Sequence, residues 1–219
     1  TLEFGDYVVS ITAPDDHVVA STGVLQNPDE VLLPVWQERL ALAETSETPV
    51  LIGTRAEAEA NEGTAPTGKK TWTFAAENVR DFAWASSRKF IWDAKLHAIE
   101  GGDPVWAMSY WPKEGHELWE PYSTHSVIHT LNAYGKYTFP YPYPVAISVN
   151  GPVGGMEYPM ICFNGPRPAK DGTYTARSKY GLISVIIHEV GHNWFPMIVN
   201  SDERQWTWMD EGLNTYVQF

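Results

Sequence analysis

The stretch 181–195 constrains this chain most: it is apolar nearly all round, yet it carries His188, Glu189 and His192. Its length and composition predict a buried helix, stopped or kinked at Pro196. In a helix, positions 188 and 192 lie about one turn apart on one face, so their imidazoles can share one tetrahedral metal ion. Glu189 sits one step round, beside the position a water would take. A carboxylate there can receive a proton from that water and later deliver it to a leaving amine. Burying two imidazoles and a carboxylate in an apolar helix is unfavourable unless a partner compensates them.

Two imidazoles do not complete a catalytic zinc shell, which needs a third protein ligand and an open position for water. Glu211 follows His192 after 18 intervening residues and lies inside the segment 208–216, which reads as the start of a second helix. Pro196 and the polar stretch 200–204 supply the turn between the two helices. Ile198 stands where the third ligand of a three-histidine site would fall, so that arrangement is excluded in its usual form. His125 and His129 share the same spacing but lack the adjacent carboxylate, and they read as helix-surface or core histidines.

Elsewhere, β-branched runs at 7–12 and 17–22, separated by Pro14-Asp15-Asp16, predict strands, and 34–43 predicts a short helix. The polar stretch 44–70 reads as a long exposed loop. Strand signals return at 71–74, around Phe82, Trp84, Phe90 and Trp92, and at 105–111. A helix is expected from about 117 to 134, then buried strands at 145–149 and 160–163 after the prolines at 140, 142 and 144. The domain boundary is placed near Pro112.

With 219 residues, of which 43% are hydrophobic, the chain can bury a sizeable core. Its net charge of −12 argues against a nucleic-acid partner and suits a site that attracts cationic groups such as a free amine. Cys162 is the only cysteine, which excludes an internal disulfide framework and a thiolate zinc site. No apolar run approaches the roughly 20 residues that span a bilayer, and Thr1 opens without the pattern of an export signal. Compartment and oligomeric state are not legible at this level.

His188-Glu189-x-x-His192 with Glu211 resembles the zinc motif of the M1 family of gluzincin aminopeptidases. A second motif, Gly154-Gly155-Met156-Glu157-Tyr158, lies upstream on an expected strand edge. It resembles that family's G-x-M-E-N motif, with Tyr158 where asparagine is usual. The run Phe74-Ala75-Ala76-Glu77-Asn78-Val79-Arg80-Asp81-Phe82-Ala83 looks like the end of the family's N-terminal β domain, so the resemblance covers most of the chain.

The resemblance implies an α+β fold: a β-rich part over 1–112, then the zinc-binding half of a thermolysin-like (gluzincin) catalytic domain over 113–219. The last helix lacks a stop signal before Phe219, so that domain is expected to be truncated at its C-terminus. The implied function is a zinc-dependent aminopeptidase acting on peptides with a free N-terminus. One zinc ion is expected on His188, His192 and Glu211, with Glu189 as general base and acid. Glu157, with Gly154, Gly155 and Met156, is expected to bind substrate, its carboxylate pairing with the free ammonium while the strand edge bonds the substrate backbone. Asn214 and Thr215 are candidates for orienting a ligand. The family's oxyanion-supporting tyrosine comes from a helix well downstream; Tyr216 lies too close to Glu211 for that role and is expected to pack a helix. The isolated chain is therefore expected to be weak or inactive. Other gluzincin chemistry, endopeptidase or epoxide hydrolysis, and a non-catalytic scaffold stay open as alternatives.

Overall fold

The computed structural model describes residues 3–219; Thr1 and Leu2 lie outside the described residues. The first strands follow the β-branched runs: β1 (Gly5–Pro14), β2 (Val18–Ser21) and β3 (Val24–Leu25). Two helices, α1 (Pro28–Val31) and α2 (Pro34–Thr45), each open on a proline, whose fixed φ suits the first turn and whose missing N–H is not needed there.

The expected loop over 44–70 is corrected by the structure. It contains β4 (Val50–Gly53) and α3 (Arg55–Glu62). Thr54 and Glu57 form a capping box: Thr54 N donates to Glu57 Oε2 at 2.7 Å, and Glu57 N donates to Thr54 Oγ1 at 3.3 Å. Arg39 then pairs with Glu57 at 2.8 Å, tying α3 to α2.

The chain continues through β5 (Lys69–Val79), β6 (Trp84–Ser87), β7 (Ile91–His97) and β8 (Val105–Trp111). The helix expected at 117–134 is two helices, α4 (His116–Trp119) and α5 (Ser123–Tyr137). Pro121 divides them, because it lacks an N–H and restricts the residue before it. Then come β9 (Val145–Asn150), β10 (Gly155–Tyr158), β11 (Ile161–Asn164), α6 (Ala176–Gly191) and α7 (Glu211–Gln218).

Six strands form one mixed sheet in the order β10-β11-β9-β8-β7-β4, with β8, β9 and β11 mutually parallel and the others antiparallel. Strands from both sides of Pro112 therefore share it. All six residues of β9 are buried, as a central strand covered on both faces requires. Helices α5 and α6 pack on this sheet and on each other. The N-terminal strands form a three-stranded sheet, β1-β5-β3, and a two-stranded one, β2-β6. Cys162 is buried and unpaired, and no helix among the described residues is long and apolar enough to cross a membrane.

One buried polar group sits beneath the start of α5. Asp93 on β7 is 3% exposed and accepts a hydrogen bond from Thr124 Oγ1. Thr124 Oγ1 also lies 2.6 Å from Ser109 Oγ, which stands 2.7 Å from Ser123 Oγ. Burial pushes the Asp93 carboxyl up to about 8, the Thr124 hydrogen bond only partly opposing it. Between about pH 4 and this value the unfolded chain has released a proton that the folded chain retains, so stability falls as pH rises through that window. D93N should remove this slope. Its stability relative to wild type, measured by urea unfolding, should increase from about pH 4 to about pH 8 and level off above; a constant difference would contradict the assignment.

Candidate functional site

Helix α6 is capped by Thr175, whose Oγ1 accepts from Ser178 N at 3.2 Å, and its apolar stripe Leu182, Ile186 and Val190 is buried. Ser184 is exposed and Ile183, Val185 and Ile187 are half-buried, so one face borders open space, contrary to the expectation of burial all round. The regular helix ends at Gly191. The chain then widens into a π-type turn, Asn193–Ile198, with Met197 N bonded to His192 O at 3.1 Å. Pro196, which cannot donate to an α-helical ladder, lies inside this turn. Asn193 ties this end to the sheet by accepting from Met160 N at 2.8 Å.

The connection from Asn200 to Asp210 is mostly exposed and lacks long regular elements. Arg80, 7% exposed just after β5, holds it. Its Nη1 donates to Pro196 O and Asn200 Oδ1, both at 3.1 Å, and its Nη2 to Glu203 Oε1 at 2.6 Å. Helix α7 is held by Asn214, which is fully buried: Tyr134 Oη donates to its Oδ1 at 2.8 Å, and its Nδ2 donates to His188 O at 2.9 Å. These bonds occupy the space a side chain at Gly191 would fill, since a Cβ there would overlap both Asn214 Oδ1 and Tyr134 Oη.

The result is a convergence of donor atoms. His188 Nε2 lies 3.0 Å from His192 Nε2 and 3.1 Å from Glu211 Oε2, and His192 Nε2 lies 3.7 Å from the same oxygen. These three groups could hold a metal ion. Two imidazoles and a carboxylate are also the donor types of a catalytic zinc site, and the spacing lets one ion about 2.0–2.1 Å from each atom reach all three. His192 Nδ1 faces two acceptors, Phe195 O and Asp210 Oδ1, each at 2.8 Å, so it carries its proton there and turns Nε2 to the site. Burial alone would lower the His192 pKa. The Asp210 and Glu157 carboxylates and the Phe195 carbonyl more than offset this, raising it to about 9. The pocket thus favours positive charge, which a metal cation can supply in place of that proton.

Glu189 is 5% exposed, and its Oε2 is buried with no hydrogen-bond partner. Burial, opposed by His192 and reinforced by Glu157 and Glu211, raises its carboxyl to about 8. Donor atoms of Glu157, Glu189 and His192 all lie within 4.8 Å of one another. Glu157 is half-buried on β10, the edge strand of the large sheet, and Met156 beside it is 39% exposed. A Cβ at Gly155 would overlap Glu189 Oε1, whereas one at Gly154 would meet nothing within 4 Å. Tyr158 turns towards Phe163, ring centroids 5.9 Å apart.

Of the remaining expected residues, Thr215 is exposed, and His125 and His129 lie on the exposed face of α5. Tyr216 is 83% exposed, so the expectation that it packs a helix is corrected: it points away from the α6 contact that Asn214 makes. Asp210 went unremarked in the sequence; its adjacency to Glu211 was the available signal.

Residues 121–219 match the family model described as the peptidase family M1 domain. This part of the chain is similar to the M1 peptidase domain. Leucine aminopeptidase 2 of Vanderwaltozyma polyspora is 34% identical over 92 residues, 40% of this chain and 13% of that protein. Aminopeptidase B of Homo sapiens is 34% identical over 67 residues, 31% of this chain and 9% of that protein. The chain therefore spans about an eighth of the first of these relatives and less of the second. In fold, the M1 likeness runs along nearly the whole chain. An M1 zinc metallopeptidase from Deinococcus radiodurans superposes with TM-score 0.64 at 16% identity, covering 98% of this chain and 40% of that one. Aminopeptidase A of Legionella pneumophila, in complex with aspartic acid, gives 0.63 at 14% identity, covering 98% and 22%.

The glycines of β10 and the turn before it give a direct test of the packing here. G155A should destabilise by about 1–3 kcal/mol, because the new methyl must displace a buried carboxylate. G154A should change stability by less than about 0.5 kcal/mol. Thermal unfolding of both variants measures this; equal effects would mean that the space at Gly155 is not what Glu189 needs.

Proposed function

We propose that this chain forms the zinc-binding part of an aminopeptidase, which removes residues one at a time from peptides with a free N-terminus. The convergence of His188 Nε2, His192 Nε2 and Glu211 Oε2 on one point carries this reading. Zinc held by these residues would supply Lewis acidity towards a water and the scissile carbonyl.

The protein's own groups do the rest. Glu189, one residue beyond His188 and with a buried oxygen lacking a partner, accepts the proton of the attacking water and passes it to the leaving amine. Phe195 O accepts from His192 Nδ1, and the Asp210 carboxylate 2.8 Å from the same nitrogen favours the proton there, which leaves Nε2 free. Glu157 pairs with the substrate's ammonium, fixing which peptide bond reaches Glu189. The outer edge of β10 hydrogen-bonds the substrate backbone as an added strand. In this reading residues 113–219 supply the catalytic side chains, and residues 1–112 the β layer together with β4, β7 and β8 of the shared sheet.

The test is hydrolysis of one peptide by the full-length protein with zinc, the peptide being offered with a free N-terminus and N-acetylated. Only the free form should be cleaved, and E157A should lower its kcat/KM by about 10²-fold or more, a loss of roughly 3 kcal/mol of binding to the ammonium. Equal cleavage of both forms would remove the aminopeptidase assignment in favour of an endopeptidase; cleavage of neither would favour a scaffold or a non-peptide substrate.

A further inference from the structure

His188 has a ring nitrogen turned away from the proposed zinc ligands, and what faces it decides whether the other can bind metal. Nδ1 lies 3.1 Å from Gln218 Oε1 and 3.3 Å from Asn214 Nδ2. An acceptor at Nδ1 places the proton there and leaves Nε2 with a lone pair; a donor at Nδ1 does the reverse.

The neighbouring bonds settle which group dominates. Gln218 Nε2 donates to Ser184 O at 3.1 Å and lies 3.0 Å from Ser184 Oγ. Turning the amide round would set its oxygen against the Ser184 carbonyl, so Oε1 must face His188. Asn214 Nδ2 already donates to His188 O at the shorter distance of 2.9 Å, and its Oδ1 is held by Tyr134 Oη at 2.8 Å. With the Nδ1 proton of His188 on Gln218, Nε2 and Glu211 Oε2, 3.1 Å apart, face each other as two acceptors that a shared cation would join.

We propose that Gln218 is a positioning residue that sets the metal-binding tautomer of His188. Helix α7 then acts on both imidazoles as well as supplying Glu211: Asp210 at its start orients His192, and Gln218 two turns later orients His188. Its side chain is neutral where Asp210 is charged, so His188 receives the weaker push of the two. Replacing Gln218 with glutamate should strengthen the acceptor and raise the basicity of Nε2.

The inference rests on the zinc reading given above, but its test separates the two. In the full-length E211A protein without metal, where no carboxylate competes at Nε2, nitrogen NMR of histidine-labelled samples at alkaline pH should find His188 as the Nδ1–H tautomer, and adding Q218L should shift it towards Nε2–H. Competition with a chromophoric chelator should then show zinc bound about 10- to 100-fold more weakly by Q218L and more tightly by Q218E than by wild type. If Q218L does not fold, Q218M gives the same comparison. An Nε2–H tautomer in E211A, or Q218E and Q218L weakened alike, would overturn the role of Gln218. Absence of zinc binding by wild type with the tautomer as expected would instead overturn the zinc reading and leave the tautomer assignment standing.

Discussion

Glu211 stands beside the two histidines because a single buried amide, Asn214, holds α7 against α6. It accepts from Tyr134 of α5 and donates to the carbonyl of His188. Each bond contributes about 1 kcal/mol net, but losing one partner would strand a buried polar group at roughly 1–3 kcal/mol, so the network specifies one docking geometry more strongly than it stabilises the fold. Gly191 makes room for it, which is a structural reason for glycine between Val190 and His192. Three helices far apart in sequence are thus locked at one point, one residue from a proposed metal ligand.

The β half contributes through Arg80. Its guanidinium spans Pro196, Asn200 and Glu203, so the connection that carries the chain from His192 to Glu211 is fixed from outside the helical layer. A planar, forked donor with little exposure suits this task, because it can engage a carboxylate bidentately and still reach a carbonyl. The large sheet fixes the other wall: β10 is its edge strand, and β11 beside it brings Glu157 towards Glu189. Two carboxylates and an electron-rich histidine cluster then face one space, within a chain of net charge −12. That concentration of negative potential favours cations, whether a metal ion or a substrate ammonium.

Much of the site was legible because its logic is local. The i, i+4 spacing of His188 and His192, the neighbouring Glu189 and the apolar surroundings all follow from helical periodicity, and 18 intervening residues put Glu211 at the start of the next helix. The strands with β-branched or aromatic runs were legible for the same reason. Residues 44–70 were not: polar composition masks the Val50-Leu51-Ile52 run, which becomes a strand only by pairing with β7, and the Thr54–Glu57 capping box is the one local cue to α3. Tyr216 illustrates the opposite limit, since which face of α7 is buried depends on the docking of Asn214 and not on the helix itself. Asp210 and Gln218 act through partners more than 15 positions away; adjacency to Glu211 marks Asp210, and no short-range pattern marks Gln218.

The proposed function depends on one metal ion held by His188, His192 and Glu211. Zinc K-edge X-ray absorption of the zinc-loaded full-length protein tests it most directly. An ion on these residues gives a nitrogen and oxygen shell at about 2.0–2.1 Å with the multiple-scattering signature of two imidazoles, reduced to one imidazole in H192A. A sulfur contribution, a shell without imidazole, or a spectrum unchanged by H192A would place the ion elsewhere.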